Sequence, residues 1–366
     1  MLNLIDETYI NKKDKELVEE FLYSFTKKKF ILGINKYTKS IQKHVQIDGI
    51  IDDFTRVQSS RKKSIYKIDE VPKDALILSV STGSPLEVKN ALDKKGFENI
   101  NYLSFYKYSK IDKELLVKPP FITDFEDDFK NNKVEYEKVY NLLCDEKSKE
   151  IFTKVINFKI SFDFDFMQGF INNHKEQYFD KELVPNIKDI VFLDGGSYVG
   201  DTIPQIISNF PDFKKIYCIE PNNLHINIAK KNFSKYENIE FINCGLGNKK
   251  IENMTNQKLQ NNCAHDYQAS NINTIDNLIN EKIDFIKLDI EGAEQDALIG
   301  AKNTIKENQA ILAICIYHKA QDWYKIPQIV LDINPNYKIY LRHYMEGIFE
   351  TVMYFIPLNS DFYKSY

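Results

Sequence analysis

Five polar residues follow apolar segments in the second half of the chain, and they define the chemistry that this sequence could carry out. They are Asp194, Glu220, Asn243, Asp289 and His318. Each comes at the end of a run of apolar residues that is typical of a buried strand. Ligands of open α/β sheets bind outside the carboxyl ends of the strands, at the switch in strand order. We therefore expect these side chains to surround one ligand, and their acidity favours a cationic ligand.

A glycine-rich loop follows the first of these strands, in the segment VFLDGGSYVGDT at positions 191–202. A phosphate-binding P-loop is excluded, because Asp201 follows Gly200 where that loop has a lysine. A dinucleotide fingerprint is weakened, because Ser197 occupies the position of its second glycine. The acidic Asp194 instead favours S-adenosylmethionine, which carries a sulfonium and an ammonium group.

The predicted donor site extends over the next two strand ends. Glu220 can accept hydrogen bonds from both hydroxyls of a ribose, which nicotinamide cofactors and S-adenosylmethionine both contain. Asn243 and the chain after it stand where an adenine edge could be recognised. The predicted cofactor-binding residues are Asp194, Gly195, Gly196, Ser197, Tyr198, Gly200, Glu220, Pro221, Asn222, Asn243, Cys244, Gly245 and Asp289.

Longer motifs surround these positions. IDFIKLDIEGAEQDALIGA contains Asp289, FLDGGSYVGDT lies upstream of it, and LRHY and ETVMY lie downstream. With LLCDEKSKEIF and EQYFD further upstream, the chain from about residue 140 to 357 resembles the FkbM family of S-adenosylmethionine-dependent methyltransferases. The resemblance implies methylation of a hydroxyl oxygen, often on a sugar or a polyketide-derived natural product.

The predicted catalytic residues are Asp289, Glu291 and His318. We expect Asp289 to face the methyl-donor crevice, Glu291 to position the donor or the acceptor hydroxyl, and His318 to act as general base. A core histidine bonded to backbone is the alternative for His318. The charge preference of a helix N-terminus explains Glu294. We predict no metal site, although Mg²⁺ on these carboxylates is chemically possible.

Three further residues are predicted to bind the acceptor. Arg342 and Tyr344 lie on one face of a strand, and the guanidinium could hold a phosphate or a sugar hydroxyl. A structural ion pair is the alternative for Arg342. Trp323 could stack on a sugar or an adenine, and burial in the core is its alternative.

Alternation of strand and helix signals predicts the elements that position these residues. We expect a small Rossmann-like α/β domain over 1–110, a helical connector over 111–187 and a methyltransferase domain over 188–366. The small domain could dock a nucleotide-sugar, or serve as a scaffold or in dimerisation. Its predicted strands are 30–34, 48–52, 75–81 and 99–106.

The C-terminal domain is predicted as a seven-stranded Rossmann-like sheet with strands at 190–194, 216–220, 239–243, 283–289, 311–317, 338–344 and 351–357. The short link before the last strand makes that strand antiparallel.

The composition is that of an ordinary soluble protein, with 43% hydrophobic and 28% charged residues. A net charge of −4 and the lack of a basic block argue against a nucleic-acid partner. We expect neither a secretion signal nor a membrane span. The five cysteines have no close pairing of the kind found in disulfide frameworks or zinc sites, which favours a location in the reducing cytoplasm; they are Cys144, Cys218, Cys244, Cys263 and Cys315.

These features predict an S-adenosylmethionine-dependent O-methyltransferase that acts on a carbohydrate or an activated sugar such as a nucleotide-sugar. The alternatives are an NAD(P)-dependent oxidoreductase and a non-catalytic module that binds nucleotide-sugars. The sequence leaves a homo-oligomer possible.

Overall fold

The computed structural model describes residues 4–5, 8–53, 65–252 and 271–358, and Cys263 lies outside them. The chain forms two compact units, each made of several chain segments. Unit 1 comprises Met1–Glu126, Thr153–Asn172 and Met345–Ile348, and unit 2 comprises Asp127–Phe152, Asn173–Tyr344 and Phe349–Tyr366. The domain boundaries at residues 110 and 187 stay a prediction.

Unit 1 contains a sheet of five short parallel strands. The strands are β1 (Lys29–Leu32), β2 (Gly49–Ile51), β3 (Ile65–Tyr66), β4 (Leu76–Ser79) and β5 (Glu98–Asn101), in the order β3-β2-β1-β4-β5. The helices are α1 (Lys12–Tyr23), α2 (Lys36–Ile41), α3 (Pro85–Lys94) and α4 (Tyr102–Tyr108). Phe30, Ile51, Ile77 and Phe97 belong to a core cluster that the apolar strand residues form with α3.

The predicted strand over 99–106 is wrong in its second half. β5 ends at Asn101, whose side chain accepts a hydrogen bond of 2.9 Å from the amide of Ser104 and caps α4. A capping residue followed by five consecutive buried residues starts a buried helix, and an apolar run of this length does not distinguish helix from strand.

Two long helices occupy the predicted helical connector. They are α5 (Phe125–Leu142), which is kinked at Asn132, and α6 (Glu146–Ser161). Of the apolar and aromatic residues at helical spacing here, Tyr136, Val139 and Leu143 are buried, and Tyr140 is half-buried. Both helices contribute residues to each of the two units.

Unit 2 contains the predicted seven-stranded sheet. Its strands are β6 (Val191–Gly195), β7 (Lys215–Ile219), β8 (Ile239–Ile242), β11 (Phe285–Leu288), β12 (Ile311–Cys315), β13 (Tyr337–His343) and β14 (Thr351–Pro357). The order is β13-β14-β12-β11-β6-β7-β8, and β14 is antiparallel to both of its neighbours. Two short strands, β9 (Gly245–Leu246) and β10 (Ile272–Asn273), form a separate pair. This arrangement confirms the predicted sheet and its single reversed strand.

The helices of unit 2 differ from the prediction at one point. They are α7 (Ile203–Asn209), α8 (Asn223–Asn232), α9 (Ile275–Leu278), α10 (Glu294–Ile299), α11 (Lys302–Asn308) and α12 (Asp322–Ile333). The predicted single helix over 294–307 is wrong, because it breaks at Gly300 into α10 and α11. A Cβ atom at Gly300 would clash with the carbonyl oxygen of Gly247, so this close approach requires glycine.

Aromatic packing fixes the centre of the unit 2 sheet. The rings of Phe192 on β6 and Phe285 on β11 stack at 4.6 Å, and Phe179 lies against both. These contacts hold the two strands that carry Asp194 and Asp289 at their ends. Within the described ranges, the chain has no helix that is both long enough and apolar enough to cross a membrane.

Candidate active site

The glycine-rich loop between β6 and α7 is shaped by close approach of two backbone segments. Gly196 adopts a φ of +77°, and a Cβ atom there would clash with the carbonyl oxygen of Asp289. Gly200 has a φ of +83° and packs against Phe233. The backbone of Asp289 and the positive φ therefore require glycine at position 196, and the positive φ and the ring of Phe233 favour it at position 200.

Lys287 forms a buried ion pair with Asp194 that sequence analysis did not predict. β6 and β11 are adjacent, and their register places the two residues side by side on one face. Lys287 Nζ lies 2.8 Å from Asp194 Oδ1 and donates to the carbonyl oxygens of Gly195 at 3.3 Å and Gly196 at 2.9 Å. Burial opposes the charge of Lys287, but Asp194 and Asp289 outweigh it and raise the pKa of the ammonium group. The two hydrogen bonds from Lys287 hold the start of the glycine-rich loop against β11.

A cavity of about 580 Å³ lies at the carboxyl edge of this sheet, entirely within unit 2. Among the predicted site residues, those lining it are Gly196, Tyr198, Glu220, Pro221, Asn222, Asp289 and Glu291. It is also lined by residues that were not predicted, namely His174, Gln177, Tyr178, Asp201, Thr202, Gln205, His225, Lys287 and Glu350. The predicted residues that do not line it are Asp194, Gly195, Ser197, Gly200, Asn243, Cys244, Gly245, His318, Arg342, Tyr344 and Trp323.

Glu220 follows β7 and is held in place by backbone amides. Its Oε1 accepts from the amide of Asn222 at 2.9 Å, and its Oε2 accepts from that of Tyr198 at 3.1 Å. Burial raises the pKa of Glu220, although these bonds and His225 oppose the shift. Asn243 donates to the carbonyl oxygen of Glu220 at 2.8 Å. It also donates to the carbonyl oxygen of Pro221 at 2.9 Å, so both hydrogens of its side-chain amide are engaged. Asn243 therefore supports the strand end that carries Glu220, which argues against its amide as a donor to adenine.

Asp289 follows β11 and is hydrogen-bonded on both carboxylate oxygens. Tyr178 donates to Oδ2 at 2.9 Å and Tyr317 donates to Oδ1 at 3.1 Å. Burial favours the protonated acid, but His318, Lys287 and the two phenols outweigh it and lower the pKa of Asp289. Its carboxylate is therefore a fixed negative charge on the cavity wall.

His318 follows β12 and is surrounded by carboxylates. Its Nδ1 lies 3.0 Å from Glu294 Oε1, and its Nε2 lies 3.4 Å from Asp289 Oδ1 and 3.7 Å from Glu291 Oε2. Burial lowers the pKa of the imidazole, but the three carboxylates raise it to about 9. A group that is already protonated at neutral pH cannot accept a proton, so this arrangement argues against the predicted role as general base.

Glu350, just before β14, is an acid that the sequence analysis missed. It accepts a hydrogen bond from Gln177, which also donates to the hydroxyl of Tyr178 at 2.9 Å. Burial and the nearby Asp289 raise the pKa of Glu350 to about 7. Gln177 and Tyr178 belong to the EQYFD motif, which was the available signal for this side of the cavity.

Arg342, Tyr344 and Trp323 lie away from the cavity, which argues against their predicted role in acceptor binding. Arg342 is 2% exposed and is ion-paired with Asp145 at 2.8 Å and Asp180 at 2.9 Å, so the structural alternative fits it. Tyr344 is buried, and its hydroxyl lies 2.6 Å from that of Tyr354. The indole of Trp323 is fully buried in the core of unit 2 and leaves no face for a sugar.

Residues 194–336 match the family described as the methyltransferase FkbM domain, while the comparison with curated proteins gave no match. The chain shares its fold with the methyltransferase FkbM from Methylobacillus flagellatus KT (TM-score 0.73, 21% identity), and the likeness covers 96% of this chain and 95% of the other.

Two further solved structures align less well. One is a precorrin-6y C5,15-methyltransferase from Geobacter metallireducens GS-15 (TM-score 0.32, 12% identity, 51% of this chain and 89% of the other). The other is a SAM-dependent methyltransferase from Aquifex aeolicus (TM-score 0.30, 15% identity, 53% and 97%). Residues 194–336 of this chain therefore match the methyltransferase FkbM domain, and the chain has the fold of a solved FkbM methyltransferase.

Proposed function

We propose that this protein transfers a methyl group from S-adenosylmethionine to a hydroxyl group of a carbohydrate. The observation that carries the proposal is the pair of acids on one cavity of an FkbM methyltransferase domain. Glu220 follows β7 and Asp289 follows β11, the two strands that flank β6 and its glycine-rich loop. This is the switch point at which ligands of open α/β sheets bind.

Glu220 and the rings beside it suit the nucleoside part of the donor. Each carboxylate oxygen of Glu220 already accepts one backbone amide and keeps a lone pair for a ribose hydroxyl. The rings of Tyr198 and His225 also line the cavity, with their centroids 4.3 Å apart, and offer apolar surface to an adenine. Asp289 supplies negative charge for the sulfonium.

The acceptor is proposed to be a neutral polyol at the end of the cavity that contains Gln177, Glu291 and Glu350. Carboxylates and amides accept and donate hydrogen bonds to hydroxyl groups. Lys287, the lysine among the described lining residues, is already paired with Asp194. A phosphate here would face acids without a matching cation, so of the two predicted acceptor classes we favour the unphosphorylated carbohydrate.

Methyl transfer requires alignment of the acceptor oxygen, the methyl carbon and the sulfur. The acceptor oxygen forms a bond to the methyl carbon as the carbon–sulfur bond breaks, and S-adenosylhomocysteine leaves as a neutral thioether. We propose that Glu350, and not His318, takes the hydroxyl proton, because Glu350 lines the cavity and can ionise near neutral pH.

The alternatives fit the cavity less well. An oxidoreductase would need to hold the pyrophosphate of NAD(P) beside Glu220, Asp289 and Glu291, where like charges repel. A non-catalytic module for nucleotide-sugars would meet the same repulsion.

Donor binding is the first test. Isothermal titration should detect S-adenosylhomocysteine binding and no NAD⁺ binding. Glu220→Gln should weaken S-adenosylhomocysteine about 10- to 100-fold, because it removes charge-assisted hydrogen bonds to ribose worth about 1.5–3 kcal/mol. The matched control is Glu240→Gln on β8, a residue that pairs with Lys215 and does not line the cavity. Absence of S-adenosylhomocysteine binding, or binding of NAD⁺ in its place, would overturn the proposal.

The acceptor class is tested by mass spectrometry with a deuterated methyl donor. Neutral monosaccharides, oligosaccharides and their phosphorylated or nucleotide-linked forms are incubated in parallel. We expect label on an oxygen of an unphosphorylated sugar, and label confined to phosphorylated acceptors would contradict the proposed class.

A further inference from the structure

Three carboxylates surround the imidazole of His318. The carboxylates of Asp289, Glu291 and Glu294 all lie within 3.7 Å of its ring nitrogens. Of the lysines close by, Lys287 is paired with Asp194, and Lys319 donates to the carbonyl oxygen of Gly292. Several carboxylate oxygens beside one imidazole form a setting in which a divalent cation can bind.

Three side chains of this cluster bring possible metal-ligand atoms close together. Asp289, Glu294 and His318 each present one ligand atom, and these atoms all lie within 4.8 Å of one another. Within the described chain, Glu294 Oε2 is buried and accepts no hydrogen bond, while Oε1 accepts from the amide of Ile290 at 2.8 Å. A buried carboxylate oxygen without a donor is costly, and coordination of a cation would remove that cost.

The donor atoms are held on rigid elements. Asp289 follows β11, Glu294 is the first residue of α10, and His318 follows β12. Tyr178 and Tyr317 fix the carboxylate of Asp289, and the side chains of Glu294 and His318 are fully buried. Asp289 also lines the cavity, so an ion bound to it would keep a coordination position open to a ligand.

We propose that Asp289, Glu294 and His318 form a binding site for a divalent first-row transition-metal ion. Two carboxylates and one imidazole form a mixed oxygen and nitrogen donor set, which suits Mn²⁺ and its neighbours in the series. The half-exposed Glu291 lies at the rim of the cluster and can approach the ion. Binding of a metal ion at these three residues does not depend on methyl transfer and can be measured without it.

Binding of Mn²⁺ alone to the full chain tests the site. After chelator treatment, electron paramagnetic resonance and isothermal titration should show one Mn²⁺ bound per chain. His318→Gln and Glu294→Gln should each weaken Mn²⁺ at least 10-fold, because each removes a ligand. The control Asp201→Asn changes a carboxylate that lines the same cavity outside the cluster, and it should leave Mn²⁺ affinity unchanged.

A thermal melt separates lost binding from lost folding. Mn²⁺ should raise the melting temperature of the wild type and of Asp201→Asn, and should not raise that of Glu294→Gln. Asp289→Asn serves as a further ligand variant if His318→Gln does not fold. Equal Mn²⁺ affinity in the wild type and all folded ligand variants would overturn the site. S-adenosylhomocysteine binding, measured on the same samples, reports separately on the proposed function.

Discussion

Two fully buried lysines, one in each unit, show how differently the same side chain can be treated. Lys159 on α6 of unit 1 and Lys287 on β11 of unit 2 are 0% and 2% exposed. Lys159 Nζ donates to the carbonyl oxygen of Phe121 at 3.2 Å and lies over the ring of Phe125. Lys287 contacts a carboxylate and two carbonyl oxygens.

The partners decide the charge of each lysine. Burial lowers the pKa of Lys159 to about 7 from its ordinary value of 10.5, because no carboxylate outweighs the loss of water. Lys287 loses as much water, yet Asp194 and Asp289 raise its pKa. Unit 2 thus holds a buried lysine that keeps its charge beside Asp194, whose own pKa is raised by burial and lowered by Lys287. Unit 1 holds a lysine that folding drives toward the neutral form.

The largest expected effect comes from removing the lysine of the ion pair. Lys287→Met should lower the free energy of unfolding by about 3–5 kcal/mol, because it leaves Asp194 buried without a counter-charge. Urea denaturation followed by circular dichroism measures the change. A loss of unfolding free energy below about 1 kcal/mol would show that Asp194 does not need Lys287 as a counter-charge.

The corresponding change in unit 1 should have the opposite sign. Lys159→Met should raise the free energy of unfolding by about 4 kcal/mol at pH 7, because folding no longer removes a proton from a buried ammonium. The exposed Lys138→Met is the control and should have little effect. Destabilisation by Lys159→Met would show that its hydrogen bond and cation–π contact outweigh its desolvation.

The same lysine gives a pH dependence. Between pH 7 and 10.5 the unfolded chain binds more protons at Lys159 than the folded chain does, so its contribution to stability rises with pH. The destabilisation caused by burying the Lys159 ammonium is fully present below about pH 7 and disappears above pH 10.5. The difference in unfolding free energy between the wild type and Lys159→Met should therefore shrink as pH rises through this interval, and a constant difference would contradict the assignment.

The smallest effect on stability should come from replacing both partners of the ion pair. Asp194→Leu combined with Lys287→Met should restore the free energy of unfolding to within about 1 kcal/mol of the wild type, because no buried charge is left unpaired. We expect S-adenosylhomocysteine affinity to stay reduced, since Nζ no longer holds Gly195 and Gly196. A double variant that is no more stable than Lys287→Met would show that Asp194 is not destabilised by the loss of Lys287. Wild-type binding would show that the loop does not depend on Nζ.

Strand ends were the part of the site that the sequence predicted best. Glu220 and Asp289 were predicted because each follows an apolar run, and parallel strands bring such positions to one edge. Lys287 was missed because a single lysine inside an apolar run has no meaning until its neighbour is known. The register of β6 against β11 supplied that neighbour.

Long-range contacts explain the remaining differences. The break at Gly300 depends on Gly247, and the orientation of His318 depends on Glu294, so neither follows from local patterns. Arg342 and Trp323 have side chains suited to sugar binding, but Asp145, Asp180 and the core of unit 2 engage them instead.

The sequence by itself determined the order of strands and helices, the reversed last strand and the acids at the sheet edge, because hydrophobic periodicity and link length are local properties. Only the tertiary structure decided which of those acids face the cavity, which lysine carries a permanent charge and how many carboxylates surround His318. Charge and pKa depend on burial and on partners brought together from distant parts of the chain.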